Sequence, residues 1–403
     1  MRVLIADNVA DSVARRLEDD GHEVGVDPTL DGDSLVDAIR DVEVLVVRST
    51  KVTEQAIDAA ERLQLVVRAG AGVNTIDIDA AAARGIYVCN VPGRNAIAVA
   101  ELTIGLILAL DRNLPDNVIE LRNGHWDKRR FSQARGVYGR ALGILGCGDI
   151  GLEVAERAHA FGLEVLVTAK DRDPAREQRL DAIDARRVDR DTLLAESDIV
   201  TFHVPATDDT RAMVDAELLG KLKQGAWIIN TSRGEIVDED ALLEALDDEE
   251  RDLRAALDVY RDEPAAKEGT FDSPLARHPR VYGTHHIGAS TDQAQEAIAD
   301  GVVSIVRDLA RGEVGNVVNL ETRPTGSTTL NVRHLDRVGV LSGVLRVLRE
   351  ADINVGEMVN RIFAGEEAAV ATMQVSGEVT DEVVEQIRAV EHVLHVSAVP
   401  TPT

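Results

Sequence analysis

The most confining feature of this sequence is an alternation, repeated twice, of short apolar runs with helix-patterned stretches. Between residues 2 and 90 the runs "RVLIA", "HEVGV", "VLVV", "LVVR" and "IYVC" are separated by segments such as "NVADSVARRLEDDG" and "DIDAAAARG". Strands that re-enter a sheet after each helix run parallel to one another, so the pattern predicts βαβ units and a doubly wound parallel sheet. The long apolar helix "IAVAELTIGLILALDRN" (97–113) then opens a second series, with strands "LGILG", "EVLVT", "DIVTF", "AWIIN" and "RAALDV". The fold class read from this is α/β, with two doubly wound parallel-sheet domains.

A third segment follows "LETRPTGST" (320–328), whose Pro, Gly, Ser and Thr residues read as a linker. Beyond it come "TLNVRH", helix "GVLSGVLRVLREAD", "INVGEMVNRIF", "EAAVATMQVSG", helix "DEVVEQIRAV" and "HVLHVSAV". That order, βαββαβ, is ferredoxin-like.

Charge limits the partners. Acidic residues number 71 against 44 basic ones, a net charge of -27, and arginine far outnumbers lysine. Such a field repels phosphate, which argues against nonspecific binding to nucleic acid or an anionic membrane. An acidic, lysine-poor surface also resembles that of proteins adapted to molar salt, where screening relieves self-repulsion. No run of about 18 uncharged apolar residues is present, and "MRVLIADNVADSV" opens on a strand pattern, so the chain reads as soluble and cytoplasmic. With only Cys89 and Cys147, no disulfide framework and no zinc site of the usual spacing is expected.

Between a strand and a helix stands Gly146-Cys147-Gly148-Asp149-Ile150-Gly151. The glycines of G-x-G-x-x-G permit a tight turn and close backbone approach to a pyrophosphate, which then meets the helix's positive N-terminus. The carboxylate that should bind the adenosine ribose is expected about twenty residues on, at the next strand end. Here that strand ends in "LVTAKDRDP", which puts Ala169 at the acid's place and Lys170 after it. A lost carboxylate and gained cations favour a 2′-phosphate and NADP, whereas Asp171 keeps the ribose within reach and NAD in play.

Two histidines stand side by side in "GTHHIGAST" (283–291). Histidine is the side chain that titrates between pH 5 and 8, so the pair invites a proton-transfer role for one of them.

Seven ordered segments carry a resemblance to a known family: "VVRSTKVT" (46–53), "VRAGAGVNTIDIDAAAARGI" (67–86), "NVPGRNAIAVAELTIGLIL" (90–108), the glycine loop, "INTSRGEIVDEDAL" (229–242), "ALDVYRDEP" (256–264) and "HIGASTDQAQ" (286–295). Together they resemble the D-isomer-specific 2-hydroxyacid dehydrogenases. The resemblance implies two Rossmann or flavodoxin-like domains, one for substrate (1–95 with 284–318) and one for the dinucleotide (96–283), in a homodimer or homotetramer. It also implies a catalytic trio at Arg233, Glu263 and His286, with His285 as a bystander. Substrate anchors fall at Arg48, Ser49, Ala71, Gly72, Val73 and Asn95. Cofactor contacts fall at Gly146, Gly148, Asp149, Ile150, Gly151, Ala169, Lys170, His203, Val204, Pro205, Thr231, Ser232 and Asp258, with Asp258 against the nicotinamide amide. The chemistry of the trio is intelligible without the family. A hydride leaving an alcohol carbon requires the hydroxyl proton to leave too; His286 suits as base, Glu263 as its orienter and Arg233 as a fork for an α-carboxylate. Lys128, Arg129 and Arg130 in "HWDKRRF" read either as phosphate contacts or as a solvated patch.

The third segment (327–403) resembles an ACT domain, a small-ligand sensor, through "VRHLDRVGVLSGVLRVLREADINV" (332–355). The resemblance implies a tight turn at Gly339 and an amino-acid effector, L-serine, at His334, Asp336 and Asn354. Val338 departs from the usual proline. An amino-acid sensor favours oxidation of 3-phospho-D-glycerate to 3-phosphooxypyruvate, the first step of serine synthesis, with NAD or NADP. The rival expectations are a reductase of glyoxylate or hydroxypyruvate and a dinucleotide-sensing corepressor-like protein.

Overall fold

The computed structural model describes residues 1–168, 174–264, 268–321 and 326–401. They divide into two compact units, Met1–Val318 and Asn319–Thr403.

The first unit holds two parallel sheets. One contains β1 (Arg2–Ile5), β2 (Glu23–Val26), β3 (Val44–Val47), β4 (Leu65–Arg68) and β5 (Tyr87–Asn90), in the order β2-β1-β3-β4-β5. Every residue of β3 is buried, as a strand covered on both faces demands. Val44 and Val46 join one core with the helices Asp11–Asp19 and Asp292–Ala310, while Leu45 and Val47 join the opposite core with Leu35, Ile39 and Ile57. Helix Asp292–Ala310, far along the chain, is thus part of the first sheet's packing. Its polar edge is tied there by Ser12 Oγ donating to Glu296 at 2.9 Å and by the Arg16–Asp300 and Arg307–Asp20 ion pairs, both 2.6 Å.

The second sheet contains β6 (Ala141–Leu145), β7 (Glu164–Thr168), β8 (Arg186–Val188), β9 (Ile199–Phe202), β10 (Trp227–Asn230), β11 (Arg254–Leu257) and β12 (Val281–Gly283), in the order β12-β11-β10-β9-β6-β7-β8. Sequence order reverses between β6 and β9, and at such a switch point the carboxyl ends of the strands open a crevice. The apolar helix Ala96–Arg112 packs Ala100, Ile104, Ile107 and Leu110 on this sheet and ends at Asn113, whose left-handed φ of 48° stops it.

The second unit is the antiparallel sheet β14 (Asn354–Ile362), β15 (Ala368–Ser376), β13 (Thr328–Leu335) and β16 (Val393–Pro400), in that order, carrying helices Val340–Glu350 and Asp381–Arg388. Alternation along β15 buries Ala369, Ala371, Met373 and Val375 beneath the helices. Gly339, at φ 93°, makes the predicted turn into its helix. The register places the residues of the expected effector site. His334 pairs with Ala369 and its Nε2 lies 3.2 Å from Asn360 Oδ1, whereas Asn354 pairs with Ser376 at the other end of the sheet. His334 and Asp336 are neighbours at one end of β13 and Asn354 stands at the opposite end, so a ligand touching all three would bridge two copies of the unit.

No helix of the described residues is long and apolar enough to cross a membrane. Cys89 and Cys147 are buried and joined in no disulfide.

Candidate active site

The crevice of the first unit is built from strand ends. In the first sheet, order reverses between β1 and β3, and Asp7, two residues past β1, is buried there. Its carboxylate accepts from the backbone N–H of Arg48 (2.9 Å), Ser49 (2.6 Å) and Thr50 (2.7 Å), and from Ser49 Oγ (2.9 Å). Burial alone would raise the Asp7 pKa, but these donors outweigh it and hold the group below the usual carboxylate range. A fixed anion thus shapes the turn from which Arg48 projects, and Arg48 Nη1 is steadied by Gln295 at 3.1 Å.

Arg68 closes β4 in the same crevice. Burial first, then the neighbouring charges of Arg233 and Arg48, push its pKa down to about 10, so it is still a cation at neutral pH. Its Nε has no partner among the described residues. Gly70, at φ 144°, makes the room: a Cβ there would lie 1.8 Å from Arg68 Nη1. Asn90 Nδ2 donates to the Ala71 carbonyl at 2.7 Å, fixing the turn that carries Ala71, Gly72 and Val73.

From the second sheet come the ends of β10, β11 and β12. Buried Asn230 organises the turn after β10 by donating to the Arg233 carbonyl (2.8 Å) and accepting from the N–H and hydroxyl of Ser232 (3.0 and 2.8 Å). Arg233 reaches back across the crevice, with Nη2 3.0 Å from where a Gly72 Cβ would stand. Asp258, past β11, accepts from Thr284 Oγ1 (2.6 Å) and the N–H groups of Ile287 (2.9 Å) and Gly288 (2.8 Å), and its carbonyl accepts from the His286 N–H (2.8 Å). Its carboxylate therefore clamps the His286 loop, a task not expected from sequence. His286 itself is held at a left-handed φ of 52°, a strained conformation of the kind that clusters at functional sites.

His286 Nδ1 lies 2.7 Å from Glu263 Oε2. An ionised carboxylate only accepts, so Nδ1 carries the proton and Nε2 is left as the basic nitrogen. The hydrogen bond to Glu263 is the main cause raising the His286 pKa, against the opposing effect of burial. Burial would raise Glu263, but the bonds from His286 and from the Tyr260 N–H (2.9 Å) outweigh it and lower its pKa. Arg48, Ser49, Arg68, Asn95, Arg233, Glu263 and His286 all line one cavity of about 780 Å³, and His285 stands exposed at its rim. The arrangement can fix an anionic hydroxy acid with guanidinium forks and remove its hydroxyl proton with an oriented imidazole.

Of the expected cofactor contacts, the glycine loop has the required shape. A Cβ on Gly146 (φ 90°) would meet the His203 carbonyl oxygen at 2.4 Å, and one on Gly151 would meet the Gly146 carbonyl oxygen at 2.2 Å, whereas Gly148 faces open space. Close packing on one side with room on the other is the cradle a pyrophosphate needs. Gly148 caps helix Asp149–Ala160, whose first residues are Asp149 and Ile150. His203 is half-buried: its Nε2 bonds Thr201 Oγ1 at 3.0 Å, its Nδ1 has no partner among the described residues, and burial pushes its pKa down to about 3. Val204 packs against the core and Pro205 O accepts from Thr210 Oγ1 at 2.6 Å. The Thr231 hydroxyl turns toward Thr103 at 2.9 Å. Ala169 and Lys170 lie outside the described residues. Lys128, Arg129 and Arg130 form a short helix away from the cavity lining, where Arg130 pairs with Asp116 at 3.2 Å.

Comparison with known proteins agrees with this geometry. Residues 104–288 match the family described as D-isomer specific 2-hydroxyacid dehydrogenase, NAD binding domain. A D-3-phosphoglycerate dehydrogenase of Methanocaldococcus jannaschii is 37% identical over 371 residues, 91% of this chain and 68% of that one. The chain belongs to the D-isomer-specific 2-hydroxyacid dehydrogenases. Within this family it is also similar to a hydroxypyruvate reductase of Thermotoga maritima, 40% identical over 67% of this chain and 85% of that one. A D-lactate dehydrogenase of Aquifex aeolicus, solved with NAD and lactic acid, superposes with a TM-score of 0.68 at 27% identity, covering 80% of this chain and all of that one. The three residues expected as a catalytic trio, Arg233, Glu263 and His286, line the same cavity. Asp7, Arg68 and Asn230 were not singled out in the sequence. The usable signal was position: each is a polar residue at the carboxyl end of an otherwise apolar strand.

Proposed function

We propose that this dehydrogenase oxidises 3-phospho-D-glycerate to 3-phosphooxypyruvate, with NAD or NADP as hydride acceptor and His286 as general base. The observation that carries the substrate is the number of cations in the cavity. Arg233 suffices for a single α-carboxylate, yet Arg48 and Arg68 stand in the same cavity, which suits a ligand that also bears a phosphate. A dinucleotide bound at the glycine loop would supply the hydride acceptor for the alcohol carbon. His286 Nε2 accepts the hydroxyl proton, Glu263 stabilises the resulting imidazolium, and Arg233 holds the carboxylate beside the developing carbonyl.

The ferredoxin-like unit is proposed to act as an ACT-type sensor, with L-serine near His334, Asp336 and Asn354, in a cytoplasmic homodimer or homotetramer. A second reading, reduction of hydroxypyruvate or glyoxylate, is favoured by the resemblance to the Thermotoga maritima reductase. Initial rates in molar KCl with 3-phosphoglycerate, lactate and glycerate, each with NAD and NADP, separate the two. A preference for the phosphorylated acid supports the proposal. Turnover confined to NADPH-linked reduction of unphosphorylated keto acids overturns it.

A further inference from the structure

The glycine loop contains a group that opposes its own task. Asp149 is the first residue of helix Asp149–Ala160, directly after the Gly148 cap, where the helix's positive end would meet the phosphates of a dinucleotide. A carboxylate there competes for the same dipole and repels a dianionic pyrophosphate. The Asp149 carboxylate has a neighbour on each side. A Cβ built on Gly93 would lie 2.9 Å from Asp149 Oδ2, so the carboxylate rests against the turn Pro92-Gly93-Arg94 that leads from the first sheet to helix Ala96–Arg112. On its other side Arg176, from helix Pro174–Asp181, donates from Nη2 to Asp149 Oδ1 at 2.7 Å.

Both partners are substantially exposed, at 39% for the Arg176 side chain and 50% for Asp149. An ion pair so open to water contributes little to folding. Its larger effect is on the local field. With Arg176 in place the Asp149 charge is offset and the helix end stays attractive to phosphate; without it that offset is lost at the mouth of the loop.

We infer that Arg176 is a positioning residue for the dinucleotide: it neutralises Asp149, so that the glycine loop can hold the pyrophosphate common to NAD and NADP. This rests on the dinucleotide-binding role of the loop and not on the identity of the hydroxy acid. It assigns to a residue outside the G-x-G-x-x-G stretch control over that stretch's affinity for anions.

The test is a double-mutant cycle read by direct binding, without any hydroxy acid. Dissociation constants for NADH and NADPH are measured by ligand fluorescence at about 0.1 M and at molar KCl, on wild type, Arg176→Ala, Asp149→Asn and the double variant, with circular dichroism and Tm recorded for each. Arg176→Ala is expected to weaken both dinucleotides by about three- to tenfold at the lower salt, the size of one unscreened charge at several ångströms. Asp149→Asn in the same background should restore most of the loss. Molar KCl should shrink the difference, because the screening length falls to about 3 Å. Equal weakening in Arg176→Ala and in the double variant would overturn the inference, as would unchanged binding in Arg176→Ala. If a variant loses its folded spectrum at low salt, Arg176→Gln and Asp149→Asn at the lowest salt that preserves it give the same comparison, with the same two outcomes. Failure of the phosphoglycerate assignment would leave these binding constants unaffected, so the two readings fail separately.

Discussion

The two walls of the crevice are made in the same way and do different work. On the first sheet, β1, β3 and β4 end in Asp7, Arg48 and Arg68, and the chemistry is fixed charge: a buried carboxylate shapes a turn, and guanidinium groups face the cavity. On the second sheet, the loops after β10, β11 and β12 carry Arg233, Glu263 and His286, and the proposed chemistry is a mobile proton on an imidazole held by a carboxylate. Charge that only grips can sit on a rigid turn saturated by backbone donors. A group that must gain and lose a proton needs a tunable partner, and His286 has one at 2.7 Å while half its side chain remains open. The comparison predicts that substitutions in the first wall appear mainly in KM and those in the second mainly in kcat.

The largest expected effect falls in the second wall. His286→Ala should lower turnover by about 10²–10⁴, the usual contribution of a general base, with dinucleotide affinity unchanged in a direct binding measurement. His285→Ala should be mild; the reverse order would break the assignment. Glu263→Gln comes next and is read in the pH profile. Oxidation needs neutral His286, and Glu263 raises its pKa above 6.5, so the rate climbs with pH through that raised value. With glutamine the climb should move to lower pH and the plateau should fall. An unshifted limb would mean that Glu263 does not tune the base. The same pair has a stability signature. Its histidine side contributes fully below about pH 6.5 and fades as pH rises through the folded value, and its Glu263 side is present above pH 4.5 and fades as pH falls. The smallest effect belongs to the first wall. Asp7→Asn should raise KM by about three- to tenfold with kcat nearly constant, since the donors at Arg48, Ser49 and Thr50 lose a charged acceptor. A fall in kcat at constant KM would erase the distinction between the walls.

Most of the two parallel sheets was legible because their central strands, such as β3, β6, β9 and β10, are buried on both faces and read as uninterrupted apolar runs. The two strands not named in advance are short edge strands, β8 reading "RRV" and β12 reading "VYG", too polar or too brief for such a pattern. The convergence of Arg233, Glu263 and His286 in one cavity was legible through motif, since each stands in a distinctive segment. Asp7 and Arg68 were not, because each is a lone charge whose meaning depends on which strands lie side by side. The placing of Asn354 relative to His334 was not legible either, because sequence shows a shared domain but not the register that puts the two at opposite ends of the sheet.

The central claim is that the crevice grips a phosphate with one wall and removes a proton with the other. It is tested most directly by kcat/KM for 3-phospho-D-glycerate and for D-glycerate, which differ only in the phosphate, in wild type and in Arg68→Met. The account predicts a preference for the phosphorylated acid of about 10² or more in wild type, reduced at least tenfold in Arg68→Met by loss of the phosphorylated substrate alone. Equal losses for both acids, or no preference in wild type, would contradict it.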